Sequence, residues 1–486
     1  MVINTCFANN ATLSLSAQKT AAYGSKVKFT SRGKMYGIVC RLAKEPYRRP
    51  VRASRKELDL KSFQRGDRLV AKSAAAAPAG DGAFEPPAEQ PSGVGGISEA
   101  AAVANVMKSI LGAGCFALPW AFAQSGTVFT TAYMAAAAAL CVYCISLMQR
   151  ARDLAVAAAP KGAPAPSTGS YANLASATIG PLGGRVTQAT VLVCCFGICS
   201  AYMVFVAATL ATILVPPIVG QAVSQNTLVW CVTPLLVVLA WIRNMAGVSV
   251  ISMLGNVSVL TGMIAVAAYA LQLPPQAAAV PAINLAGFGQ AFGSVAFLFF
   301  VHFTLPPIEA SMSRRERFLP AATTGFALSV VISTLFGVIG AVYFGPGVQS
   351  VVIAMLKGQG IVIAVKLLLC LNLLCTFPVV VGSAFQILEG LVKEARGKEL
   401  SSGAVYAMRT MFVVLAAVVA VGIPSFGKLL GLVGGVSCTL LTMVFPPLML
   451  LATSARVGKP VSALEKVWMY IVMLAGAFIG YLSIVG

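Results

Sequence analysis

A single histidine, His302, serves all 486 residues, and only 15 Asp and Glu accompany it. Haem and transition-metal centres are built from clusters of His, Cys and carboxylate. One histidine therefore excludes a His-paired cofactor, and no cofactor or metal is expected. No G-x-x-x-x-G-K-[ST] segment occurs, which excludes the phosphate-cradling loop of an ATP-driven pump. No filter sequence repeats as it would in a channel, and no nucleophile and base stand out as an enzyme's would, so an enzyme is not expected. Charge is scarce as well. Charged residues make up 10% of the chain, against about 25% in soluble domains. With 58% hydrophobic residues and a mean hydropathy of +0.84, the chain cannot cover a water-facing surface. Much of its length needs a lipid bilayer as solvent.

The charge that is present is mostly basic and uneven. The formal net charge is +20, and 16 of the 35 Lys and Arg precede residue 73. A basic excess can mark nucleic-acid binding. Here the remaining basic residues sit in short loops between apolar runs, where they orient helices, so no nucleic-acid partner is expected. Residues 1–44 hold no Asp or Glu, but do hold Lys19, Lys26, Lys28, Arg32, Lys34, Arg41 and Lys44 among hydroxyl residues. No apolar core of a secretory signal is present, and the composition is that of an organelle transit peptide. Val51-Arg52-Ala53 resembles the processing sequence of plastid transit peptides. Residues 1–53 are thus read as a transit peptide, 54–97 as an Ala/Pro/Gly-rich disordered linker, and 98–486 as the membrane domain. The expected location is the chloroplast envelope, with the vacuolar or plasma membrane as the alternative.

The membrane domain is expected to be all-α and polytopic, with about eleven spans: 99–122, 128–149, 187–214, 227–242, 248–271, 289–308, 321–344, 361–387, 405–422, 428–452 and 467–485. Loop charges support the count. The loops after spans two, four, six, eight and ten carry Arg150, Arg152, Lys161 and Arg185; Arg243; Arg314, Arg315 and Arg317; Lys393, Arg396 and Lys398; and Arg456 and Lys459. The other loops hold little beyond Lys357. The basic leader falls on the charged side, so the amino terminus faces the cytoplasm or stroma and the carboxyl terminus lies opposite. Ten of the twelve cysteines lie in the spans. Cys141-x-x-Cys144 has redox or metal spacing, but in an alanine-rich span it reads as two small apolar residues. Lys108 and Lys366 read as side chains snorkelling from span ends.

Two spans are poor continuous helices. Span one contains Gly112-Ala113-Gly114 and Pro119, and span six contains His302-Phe303-Thr304-Leu305-Pro306-Pro307-Ile308-Glu309. Glycine costs about 1 kcal/mol and proline about 3 kcal/mol in a helix interior. Freed backbone is tolerated at membrane depth only beside protein or a wet cavity. Spans one and six are five apart, the spacing of equivalent helices in two five-helix inverted repeats, and paired interruptions point to a substrate site at the repeat interface. Half-helix amino termini offer amides to a carboxylate, and exposed carbonyls receive an ammonium. An amino acid zwitterion needs both. Gly112, Ala113 and Gly114 are expected to lend backbone groups, flanked by Asn105, Ser109 and Phe116. Phe299, His302, Phe303 and Thr304 should line the opposite wall. His302 titrates nearest neutral pH, and intramembrane ionisable groups are functional candidates, so His302 and Glu309 are the ion-coupling candidates. His302 satisfying a broken helix, and Glu309 pairing with Arg314 or Arg315, are the plainer readings. Tyr202 is read as a gating or a structural tyrosine.

Asn105-Val-Met-Lys108-Ser-Ile-Leu-Gly112-Ala-Gly114-Cys-Phe-Ala-Leu118-Pro119-Trp-Ala121-Phe122 with Gly126 resembles the first helix of the amino acid/auxin permease family. Leu305-Pro-Pro-Ile-Glu309-Ala-Ser-Met312, Arg317-Phe318, Pro378, Ile387-Leu-Glu389 and Gly431-Leu-Val-Gly434-Gly435 extend the similarity. The pattern at 305–325 is most similar to the vacuolar and proton-coupled neutral amino acid branches. The resemblance implies a leucine-transporter-like fold of five plus five helices with one extra. It further implies alternating access and transport of amino acids, neutral ones in this branch, by symport with H+ or Na+. In the related fold, span eight helps hold sodium through hydroxyls and carbonyls, and here Asn372 and Thr376 share one helical face. With so few hydroxyls the reading favours H+. Other solutes of the same fold (auxin, a nucleobase, a polyamine) and a channel remain the alternatives.

Overall fold

The computed structural model describes residues 96–159, 166–214, 223–242, 248–358 and 360–485. The transit-peptide reading and residues 54–95 of the linker reading, together with Lys161 and Arg243, lie outside the described residues. The apolar runs become helices throughout, one for each expected span. Span one is a bent pair, Glu99–Ile110 and Ala113–Ser125, turned by 46°. Thr127–Ala157, Pro181–Leu214, Gln225–Ala240 and Val248–Ala270 follow as spans two to five. Span six runs over Phe288–Phe299 and Leu305–Ala310. Spans seven, eight and nine are Phe318–Phe344, Ile361–Arg396 and Ser402–Gly422. Phe426–Val457 and Ala463–Val485 complete the set as spans ten and eleven.

Ends are set by local chemistry. Ser98, Ser224, Ser401 and Ser425 cap spans one, four, nine and ten, their hydroxyls accepting backbone N–H groups of the first turn. Gly126, at φ +97°, turns the chain between spans one and two; a Cβ there would lie 2.5 Å from the Ala282 carbonyl oxygen. Spans two and eight run past the lengths read from hydropathy, into charged turns at Ala157 and Arg396, because the helical ladder outlasts the apolar stretch. Two features have no counterpart in the sequence reading: a short helix, Tyr171–Ile179, before span three, and π-helical turns at Val433–Cys438 and Leu440–Val444 in span ten.

Packing follows a rule of five. Spans one and six, two and seven, three and eight, and four and nine each pack together. Span three packs on ten as eight packs on five, and span four on eight as nine on three. Each pair named here maps onto itself or onto another of them when five is added to or taken from its numbers, although the packing of span three on span four has no comparable counterpart between eight and nine. Since five is odd, each helix runs opposite to its counterpart, so the two halves are inverted repeats. The molecule is an all-helical, polytopic membrane protein of five plus five spans with an eleventh. Span eleven lies outside the repeat and exposes Trp468, Ile471, Leu474 and Phe478, as a lipid-facing helix does.

Five ion pairs gather at one end of the bundle. Glu99–Arg317, Arg150–Glu465, Arg152–Glu309, Arg185–Glu394 and Glu389–Arg409 join span ends that share the basic face. A short ladder lies there too. Ile97 N–H donates to the Ser311 carbonyl (2.9 Å) and Ser313 N–H to the Ile97 carbonyl (3.2 Å), tying the start of span one to the exit of span six.

Candidate binding site

The two broken helices share one plan. In span one the last helical hydrogen bond is Leu111 N–H to the Met107 carbonyl (2.7 Å). Gly112 is extended at φ −119°, ψ −160°. A 3-10 turn then opens with Cys115 N–H to the Gly112 carbonyl (3.1 Å), and an α-helix resumes at Leu118-Pro119. In span six the first half closes with Phe300 N–H to the Ala296 carbonyl (2.8 Å), and a 3-10 turn opens with Thr304 N–H to the Val301 carbonyl (2.9 Å). An α-helix resumes at Leu305-Pro306. Proline in a first turn costs no hydrogen bond, so each Leu-Pro restarts a helix. The amides of Ala113 and Gly114, and of His302 and Phe303, precede the first bond of their turns and lie outside the ladder.

A cavity of about 360 Å³ lies at these breaks. Ser109, Gly112, Ala113 and Gly114 line it from span one, and Phe303 and Thr304 from span six. Cys195, Ile198 and Tyr202 of span three and Thr376, Val380 and Ser383 of span eight form the wall across. Lys108 is the charged lining residue, and no Asp or Glu lines the cavity. Toward the far face, Phe116, Phe205 and Phe426 form a buried row, with ring centres 5.8 Å and 5.2 Å apart. Toward the basic face the lining ends at Lys108, Thr304 and Ser383.

Several residues singled out in the sequence lie elsewhere. The Asn105 carbonyl accepts the Ser109 hydroxyl (3.0 Å), one turn from the cavity. Phe116 belongs to the aromatic row. Phe299 is fully buried against Phe326, with centroids 6.3 Å apart. His302 is also fully buried. Its Nε2–H donates to the Cys141 carbonyl of span two (3.0 Å), and its Nδ1 pairs with the Thr442 hydroxyl of span ten (2.9 Å). Glu309 pairs with Arg152 and Gln149 of span two, rather than with Arg314 or Arg315. Asn372 stands one turn above Thr376, whose hydroxyl donates to the Asn372 carbonyl (2.8 Å). Among the described residues no cluster fit to hold a metal occurs.

Both lysines read as snorkelling face inward. Lys108 lines the cavity. Lys366 is buried, its ammonium donating to the Thr212 hydroxyl (2.8 Å) and to the carbonyls of Leu356 (2.8 Å) and Ala354 (3.5 Å). Thr212 closes span three and the two carbonyls belong to a buried loop near the far face, so burying the stem did not carry the head to water. Sequence reasoning also passed over Ile198, Val380 and Ser383. Their signal was the helical period itself: 195, 198 and 202 fall on one face, as do 376, 380 and 383.

The family model described as transmembrane amino acid transporter protein matches residues 95–486. The chain belongs to the transmembrane amino acid transporter family. This transporter is 26% identical to amino acid transporter AVT3C of Arabidopsis thaliana over 368 residues, 71% of this chain and 80% of that one. It is 27% identical to the proton-coupled amino acid transporter-like protein pathetic of Drosophila melanogaster, over 70% of this chain and 74% of that one. It is 25% identical to vacuolar amino acid transporter 3 of Schizosaccharomyces pombe, over 73% and 53% respectively. The chain is thus an integral multi-pass membrane transporter of amino acids and not an enzyme.

Proposed function

We propose that the transporter carries neutral amino acids by alternating access, in symport with protons, and that residues 1–53 deliver it to a plastid envelope. One observation carries the substrate reading: a cavity lies where two half-helices lend amides and two others lend carbonyls. The amides of Ala113, Gly114 and Phe303 suit a carboxylate, and carbonyls past the end of each first half suit an ammonium. Asn105 and Phe116 then hold the segment from behind. Ile198, Val380 and the rings of Tyr202 and Phe303 offer an apolar berth for the side chain. A cationic side chain would meet Lys108 and no carboxylate, which favours neutral substrates. Proton coupling is supported by the candidates His302 and Glu309, by the spent hydroxyl of Thr376, and by the proton coupling named for the Drosophila relative. Sodium coupling through Asn372 and Thr376 is the rival. The plastid reading rests on the acid-free stretch 1–44 of the leader; two yeast relatives are named as vacuolar.

Counterflow in proteoliposomes with a panel of labelled amino acids tests this. Exchange of neutral amino acids, accelerated by an imposed pH gradient, is the expected result. Preference for a polyamine, nucleobase or auxin would overturn the substrate reading. Acceleration by a sodium gradient alone would overturn the proton. Flux that never saturates would mean a channel. A fluorescent protein carrying residues 1–53 should enter plastids, and its arrival at a vacuole would discard the leader.

A further inference from the structure

Two thiols with no part in substrate binding as described meet at the cavity wall. Cys194 on span three and Cys438 in the π-helical stretch of span ten have Sγ atoms 3.6 Å apart, both buried. The two helices approach closely here: a Cβ on Gly197 would lie 2.2 Å from Val433 Cγ2. Cys438 lines the cavity and Cys194 does not. Cys438 is thus the member of the pair on the cavity lining, and Cys194 lies behind it.

We infer that Cys194 and Cys438 form an oxidation site for a peroxide, closing to a disulfide that staples span three to span ten. The Cys438 sulfur attacks one oxygen of hydrogen peroxide and the O–O bond breaks. The products are a sulfenic acid on Cys438 and a hydroxide, which takes the thiol proton and leaves as water. The Cys194 sulfur then displaces the sulfenic oxygen. An S–S bond forms, and the departing hydroxide takes the Cys194 proton as a second water. Two electrons pass from the sulfurs to the peroxide. An external dithiol reverses the step by exchange. The pair needs no large backbone movement, because the sulfurs are already neighbours on helices in contact. A covalent tie between these helices fixes one wall of the cavity, and a site that must open to each face in turn stops cycling. That last consequence rests on the alternating-access reading, whereas the bond does not.

The test uses the full chain in proteoliposomes, treated with hydrogen peroxide and then with dithiothreitol. Peptide mass spectrometry should find the 194–438 disulfide, and uptake should fall in proportion to it and return on reduction. Cys194→Ala should transport normally and resist peroxide. Failure to find the disulfide in the native chain overturns the site, whatever the substrate proves to be. A disulfide that forms while uptake stays unchanged overturns the lock. Equal loss of uptake in Cys194→Ala places the damage at Cys195 or Cys375, which also line the cavity, and overturns the assignment.

Discussion

Gly112 and Gly114 look alike in the sequence and differ in the structure. A Cβ on Gly112 meets no atom within 4 Å, whereas one on Gly114 lies 3.0 Å from the Phe297 ring. Gly112→Val is therefore expected to insert and fold normally and to lose uptake, because its branches enter the cavity proposed for substrate. Gly114→Val should lose thermal stability as well. Full uptake by Gly112→Val in vesicles would remove the span-one site. His302 is tied to both neighbours. Its replacement by Ala removes the second bond to the Cys141 carbonyl and takes from the Thr442 hydroxyl its His302 partner, at about 1–3 kcal/mol for a buried polar group left unsatisfied. A lower melting temperature for His302→Ala is expected, with partial recovery in His302→Gln. The pH dependence of uptake by His302→Gln tests coupling: an unchanged profile would discard the ring as the proton carrier. The breaks in the backbone beside the cavity were legible because Gly and Pro announce where a helix cannot continue. The side chains across the cavity were not, since Ile198, Val380 and Ser383 are ordinary span residues until the fold turns them inward.

Both helix breaks were legible in the residues that cause them, but the prolines read there as interruptions prove to open each second half. The π-helical turns of span ten were not. An i→i+5 register leaves no compositional mark and arises from what surrounds it. Tyr171 reaches the Leu441 carbonyl from the short helix before span three, and Thr442 is bonded to His302. Glycine lets spans six and ten press together. A Cβ on Gly434 would lie 2.0 Å from the Gly293 carbonyl oxygen, and one on Gly293 2.2 Å from that of Gly431. Since backbone faces backbone, no side chain can swing aside. Gly434→Ala is expected to lower yield and melting temperature sharply, by the few kcal/mol typical of overpacking, about 1–3. Wild-type thermal stability in that variant would show that the helices separate freely.

At the scale of the molecule, the bias in loop charges and the clustering of ion pairs describe one membrane orientation. The sequence reading took it from Arg and Lys alone. The structure adds that Glu99, Glu309, Glu389 and Glu465 meet those cations at the same face. An odd number of spans puts the two termini on opposite sides. Tags placed ahead of span one and after Gly486 should be reached by protease from opposite faces of sealed vesicles. Digestion of both from one face would break the count. The rule of five was only partly readable, because spacing gave the two breaks while helix partners depend on tertiary packing. The short ladder at Ile97 and Met312 carries a mechanical consequence. With the threshold of span one stitched to the exit of span six, parting the two at that face would first break this stitch, so the pair is yoked there like one jaw rather than hung as two independent doors.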